Sequence, residues 1–128
     1  MSLRSPLGQV LGRGAAKEGV HHWWLQRMTS VALVPLTIWF VLSLLNLPDL
    51  NYPTVAQWMS HTLTALLLIL FVLTAAWHSQ LGLRVVIEDY VHGSGSRTAM
   101  LMLSTFIHVL LAGAGVLSVL QILFRGAA

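Results

Sequence analysis

Charged positions break this chain into three long apolar intervals. None occurs from Met28 to Pro48, from Leu50 to Leu83, or from Thr98 to Phe124. A helix needs about 20 apolar residues to cross a hydrocarbon layer ~30 Å thick, and each interval reaches that length. The pattern predicts an all-α membrane protein with three transmembrane helices. The spans fall at about 27–47, 54–88 and 98–124, so residues 27–128 form the membrane domain and residues 1–26 a cytoplasmic or interfacial lead.

Punctuation refines the picture. Pro35 lies inside the first span and predicts a kink. "NLPDLNYPT" reads as a short polar turn, its prolines closing one helix and admitting the next. From Thr54 the helical pattern continues to about Val91. At 1.5 Å per residue that exceeds ~50 Å, so the charged end is expected to tilt or project into water. "HGSGS" should stop the helix, with Gly93 suited to a left-handed C-terminal cap. The lead is basic and Gly-rich, and Pro6 with four glycines argues against a stable helix at its start. It has no signal-peptide core, and Arg4 and Arg13 fit a transit peptide only faintly, so an uncleaved bacterial N-terminus is expected. "HHWW" sits where aromatic rings favour the water–lipid boundary.

Composition supports the class: 56% of the 128 residues are hydrophobic and 9% charged, against about 25% charged in a soluble domain. Cysteine is absent, which excludes disulfides, thiolate metal sites and cluster ligands on this chain. The sequence pI of about 10.2 does not imply nucleic acid, because the basic residues flank the spans. Arg4, Arg13, Lys17, Arg27, Arg84 and Arg97 fall on one side and only Arg125 on the other. The positive-inside rule then puts the N-terminus in the cytoplasm and the C-terminus outside.

Few residues carry chemistry. His78 lies within the second span, about 9 Å from Arg84 along the helix, and an ionisable residue at that depth is a functional candidate. Neutral imidazole ligates metals, haem iron included. Thr74 and Gly82 on the same face are small, so a flat group could approach the backbone there; a histidine hydrogen-bonded to a neighbouring helix is the competing reading. His108 shares a face with Ser104, Ala112 and Gly115, a helix-packing stripe. If Arg84 and Arg97 mark one interface, His78 and His108 differ in depth by about 7 Å, and a second ligand to any shared haem should come from another chain. His61 reads as an interfacial hydrogen-bonder, and His21 and His22 as contacts to headgroups or a partner. Glu88 can pair with Arg84 at i−4, while Asp89 points elsewhere and meets either a partner's basic group or water. Tyr90 is an interfacial anchor or a donor to a quinone carbonyl. Arg27 is a snorkelling topology signal or a partner for a haem propionate.

His78, ten intervening residues and Asp89-Tyr90 together resemble the H-x10-D-Y signature of the smaller (D) membrane-anchor subunits of succinate dehydrogenase, respiratory complex II. "HHWWLQRMTSVALVPLTIWF" resembles the entry to the first span in alphaproteobacterial members. The likeness runs from about Gly19 to the end of the third span, with the same helix count and orientation. The S-P-H and H-R-x-[ST]-G motifs of the companion C subunit are missing.

The resemblance implies a membrane anchor of succinate:quinone oxidoreductase in the bacterial inner membrane, with the mitochondrial inner membrane as the lesser alternative. It implies His78 as an axial ligand of haem b, shared with a C-subunit histidine, and Arg27 near the propionates. Tyr90 would bind a ubiquinone carbonyl, with Asp89 beside it. FAD and iron–sulfur clusters would reside in the flavoprotein (A) and iron–sulfur (B) subunits, so the chain is no enzyme alone. A fumarate reductase anchor and a cofactor-free structural adaptor are the rival readings.

Overall fold

Four helices follow one another in the computed structural model, which describes residues 15–125: α1 (Ala15–Leu45), α2 (Tyr52–Ser60), α3 (Thr62–Tyr90) and α4 (Ser94–Arg125). Val20–Leu45 of α1, all of α3 and all of α4 are each long and apolar enough to cross a membrane. The protein is an all-α integral membrane protein with three membrane-crossing helices, as the charge-free intervals predict. Among the described residues no strand occurs.

Helix boundaries depart from the sequence expectation in three places. First, α1 begins at Ala15 and not near residue 27, so the second half of the lead is helical. The only glycine it must absorb is Gly19, whose cost of about 1 kcal/mol a 31-residue helix tolerates. The first 14 residues, with Pro6, Arg4 and Arg13, lie outside the described residues. Second, the expected rod from Thr54 to Val91 is broken at His61, whose extended backbone (φ −71°, ψ 128°) separates α2 from α3. Asn51 caps α2, its side-chain oxygen accepting from Thr54 N at 3.0 Å. Third, Gly93 is no left-handed cap of α3. That helix ends at Val91 in extended conformation, and Gly93 instead opens α4, its carbonyl accepting from Arg97 N at 2.8 Å and Ser96 Oγ at 3.0 Å. A Cβ at Gly93 would lie 2.6 Å from Ser96 Oγ, so a side chain there would have to turn that hydroxyl aside. α1 continues through Pro35 without interruption.

α3 is the centre of the arrangement. It packs against α1 on one side and α4 on the other. At the end holding α2, Ala65, Leu68 and Val119 are buried beneath Trp39, Phe40, Trp58 and Met59. Trp58 stacks on Trp39 (centroids 6.0 Å apart) and Phe40 stacks on Phe71 (5.2 Å), which pins the short α2 across the ends of α1 and α3. Elsewhere large apolar side chains on every long helix are exposed, among them Val31, Ile38, Leu66, Trp77, Phe106 and Leu110. In hydrocarbon such faces need lipid or other helices, not water.

Candidate functional site

The imidazole of His78 is half-buried and turned toward α1. Its Nδ1 lies 2.9 Å from Thr29 Oγ1, and its Nε2 lies 3.4 Å from Gln26 Nε2. Gln26 and Thr29 are three residues apart, so they occupy one face of α1 on adjacent turns. Gly82, one turn along α3, admits the Gln26 amide: a Cβ there would lie 3.7 Å from Gln26 Nε2. The small residue beside His78 therefore receives a side chain of α1.

These contacts fix the relative depth of the helices. Gln26 is level with His78 and Gly82, and Gly82, Arg84, Val85 and Glu88 line a groove with His22, Trp23 and Gln26. Arg27 is consequently at the level of Gln80 and not of Arg84. On the other side, His108 Nε2 meets Ser79 Oγ at 3.2 Å, and Gln80 donates to Thr105 Oγ1 at 3.2 Å. Continuing that antiparallel register puts Arg97 beside the end of α3, near Tyr90. The arginines do not mark one level, and the expected 7 Å depth difference between His78 and His108 is corrected: the two are nearly level. They are separated by face instead. His78 turns to α1, while His108 is held on the α4 side by Ser79 and by Ser104 O, 2.7 Å from its Nδ1. Of the Ser104–Ala112–Gly115 stripe, Ser104 is buried and Gly115 lies against Val72, while Ala112 lines a cavity with Thr29, Thr74 and Trp77.

At the end of α3 the Arg84–Glu88 pair forms as the spacing predicts, Nε to Oε1 2.8 Å. Asp89 and Tyr90 end the helix in exposed positions, and neither makes a side-chain hydrogen bond or ion pair among the described residues. Arg27 is also exposed; its guanidinium lies over the Trp23 ring, 4.9 Å from the centroid. His61 is exposed in the break between α2 and α3, its carbonyl accepting from Ala65 N at 2.9 Å. His21 is exposed and His22 half-buried.

What this arrangement can hold is limited by its donors. Among the described residues no three His, Cys, Asp or Glu side chains converge on a point, so a metal bound by this chain alone is not supported. Half a site is supported. His78 offers one imidazole, and a groove of about 630 Å³ opens on the far side of Gln26, lined by His22, Gln26, Gly82 and the Arg84–Glu88 pair but not by His78 itself. Gln26 Oε1 and His22 Nε2 are buried without partners there, which marks the groove as incomplete in polar terms. A flat anionic macrocycle ligated once by His78 and once by a neighbour would reach Nε2 only where the Gln26 amide now stands, 3.4 Å from it.

Sequence reasoning missed Thr29 and Gln26, the residues that contact the imidazole. Their signal was a polar pair at i, i+3 that straddles Arg27 at the entry to the first apolar interval.

Comparison with known proteins gives the same direction. Residues 1–119 match the family model described as succinate dehydrogenase/fumarate reductase transmembrane subunit. A succinate dehydrogenase hydrophobic membrane anchor subunit of Rickettsia bellii is 29% identical over 99 residues, covering 77% of this chain and 79% of its own. The corresponding subunit of Paracoccus denitrificans is 31% identical over 100 residues (78% and 77%). A succinate dehydrogenase membrane anchor subunit of Reclinomonas americana is 30% identical over 90 residues (68% and 75%). With its three apolar helices and a match over nearly its whole length, this chain belongs to the succinate dehydrogenase/fumarate reductase transmembrane subunit family.

Proposed function

We propose that this chain is the D-type membrane anchor of a succinate:quinone oxidoreductase in the bacterial inner membrane, sharing haem b ligation and forming part of the ubiquinone-reduction site. The observation that carries the reading is the spacing on α3. An intramembrane imidazole and an unpartnered Asp89-Tyr90 pair stand on one rigid helix, about 18 Å apart along its axis. The exposed apolar faces of α1, α3 and α4 supply surface for a second anchor subunit.

His78 presents one ring nitrogen for axial ligation, and the sister C subunit supplies the second ligand, because His108 is committed to Ser79 and Ser104. Haem b, when bound, supplies a one-electron relay within the membrane. Arg27, exposed at the level of Gln80, offers a cation to a propionate. The Tyr90 hydroxyl donates to a ubiquinone carbonyl, localising negative charge on that oxygen as electrons arrive. Asp89 exchanges protons with the aqueous side, which suits a reaction taking up two electrons and two protons. The flavoprotein and iron–sulfur subunits hold FAD and the clusters and dock on the cytoplasmic face, the side to which the positive-inside rule assigns Tyr90.

The test is purification of the complex through a tag on this chain. A flavoprotein, an iron–sulfur protein and a second small anchor should co-purify, with b-type bands in the reduced-minus-oxidised spectrum that His78→Ala abolishes or shifts. A cofactor-free adaptor would show no such bands. A fumarate reductase anchor would co-purify with clusters of potential too low to be reduced by succinate.

A further inference from the structure

We propose that Thr29 is a positioning residue for the haem ligand: its hydroxyl oxygen accepts Nδ1–H of His78, locking the ring and reserving the Nε2 lone pair for iron. This rests on the reading of His78 as an axial ligand.

A threonine hydroxyl has a single proton to donate, and Thr29 Oγ1 lies 2.9 Å from Leu25 O and 3.0 Å from Gln26 O, in the back-bonding geometry that helical threonines adopt. With that proton committed to its own helix, the oxygen meets Nδ1 at 2.9 Å as an acceptor. The other ring nitrogen gives the same answer. With its amide nitrogen turned to the ring, 3.4 Å from Nε2, Gln26 presents a donor, which agrees with a lone pair on Nε2, whereas the reversed amide would present Oε1. With the hydrogen on Nε2 the two groups would face each other as donors. The Thr29 contact thus selects the tautomer that a metal ligand requires, and the Gln26 amide as oriented agrees with it.

Geometry adds two further points. Thr29 is β-branched, and its side chain has few rotamers on a helix, so the acceptor is stiff. Gln26 stands where iron would approach Nε2, yet its Oε1 has no partner, so no second hydrogen bond of the amide breaks when it swings aside. Ligating histidines in general give their second N–H to a carboxylate, carbonyl or water, which fixes orientation and raises basicity. Here the partner is a neutral hydroxyl on the adjacent helix of the same chain, so α1 packing and haem ligation are joined at one contact.

The experiment uses the intact complex with Thr29→Val, which keeps the shape and removes the acceptor, Thr29→Ser, which keeps the oxygen, and His78→Ala as reference. In Thr29→Val the haem midpoint potential should rise, since a less basic imidazole stabilises ferric iron less. Haem retention against a scavenger should fall by about 10-fold, and Thr29→Ser should restore both. Potential, ferric EPR signal and retention equal to wild type in Thr29→Val, with the haem altered in His78→Ala, overturn the inference alone. So does a serine variant as impaired as the valine one. An unchanged spectrum in His78→Ala removes the ligand assignment and this inference with it. If Thr29→Val does not assemble, ¹⁵N-histidine NMR of the haem-depleted wild-type complex decides: Nδ1–H is expected for His78, and a dominant Nε2–H form refutes it.

Discussion

A Cβ built on Gly115 of α4 would sit 2.8 Å from Cγ1 of Val72, closer than carbon atoms pack, and 3.5 Å from its Cγ2, an ordinary contact. The α3–α4 interface at this level is therefore set by the absence of a side chain. Valine is stiff at χ1 and cannot turn both methyls away. Gly115→Ala should force the helices apart and cost about 1–3 kcal/mol, read as a lowered midpoint in thermal or SDS unfolding of the purified complex. Gly113, with open space around its Cβ position, is the control: Gly113→Ala should leave that midpoint unchanged or raise it slightly, because alanine is the better helix former.

His108 and His78 are nearly level but serve different interfaces. His108→Leu deletes the hydrogen bond to Ser79 and leaves the α1 side of α3 untouched. The expected loss is about 0.6 kcal/mol, the average for interhelical hydrogen bonds in membranes, with the reduced-minus-oxidised haem spectrum unchanged. A shifted or missing haem band in this variant would make His108 a ligand and refute the separation by face.

How much of this was legible beforehand follows from what sets each feature. The three spans were, because hydrocarbon excludes charge wherever a helix lies, and the charge-free intervals record that directly. His78, Asp89 and Tyr90 were legible through a fixed spacing on one helix. Depth between helices was not. Arg27, Arg84 and Arg97 looked like three marks of one boundary, yet long basic side chains snorkel, and Arg84 folds along α3 onto Glu88. The true register is set by Gln26 against Gly82, Ser79 against His108 and Val72 against Gly115, contacts between residues far apart in sequence. Thr29 escaped notice for the same reason: its contact with His78 joins residues 49 apart in the chain. The break at His61 is likewise tertiary. Nothing in "MSHTLT" forbids helix, but α2 turns so that Trp58 can lie on Trp39.

The Arg84–Glu88 pair is half-exposed at both ends (50% and 41%). Exposed i,i+4 pairs contribute little, and Glu88→Gln should change stability by no more than about 0.5 kcal/mol. Unfolding of the complex at low and high salt checks this, with the wild-type and variant midpoints expected to converge as salt screens the pair.

Tyr90 separates stability from chemistry most cleanly. It is 79% exposed and its hydroxyl has no partner among the described residues, so Tyr90→Phe removes one oxygen from a position that no intrachain contact uses. Assembly, haem content and unfolding midpoint should match wild type. Ubiquinone reduction by succinate should fall by about 100-fold, the usual cost of one donor to a developing oxyanion, while succinate oxidation by a soluble dye, which draws electrons before the membrane, stays at the wild-type rate. Asp89→Asn keeps the shape and removes the titratable proton. It should slow quinone reduction and leave the dye rate alone. Equal loss of both activities in either variant would mean that the end of α3 holds the soluble subunits in place and does not bind the quinone.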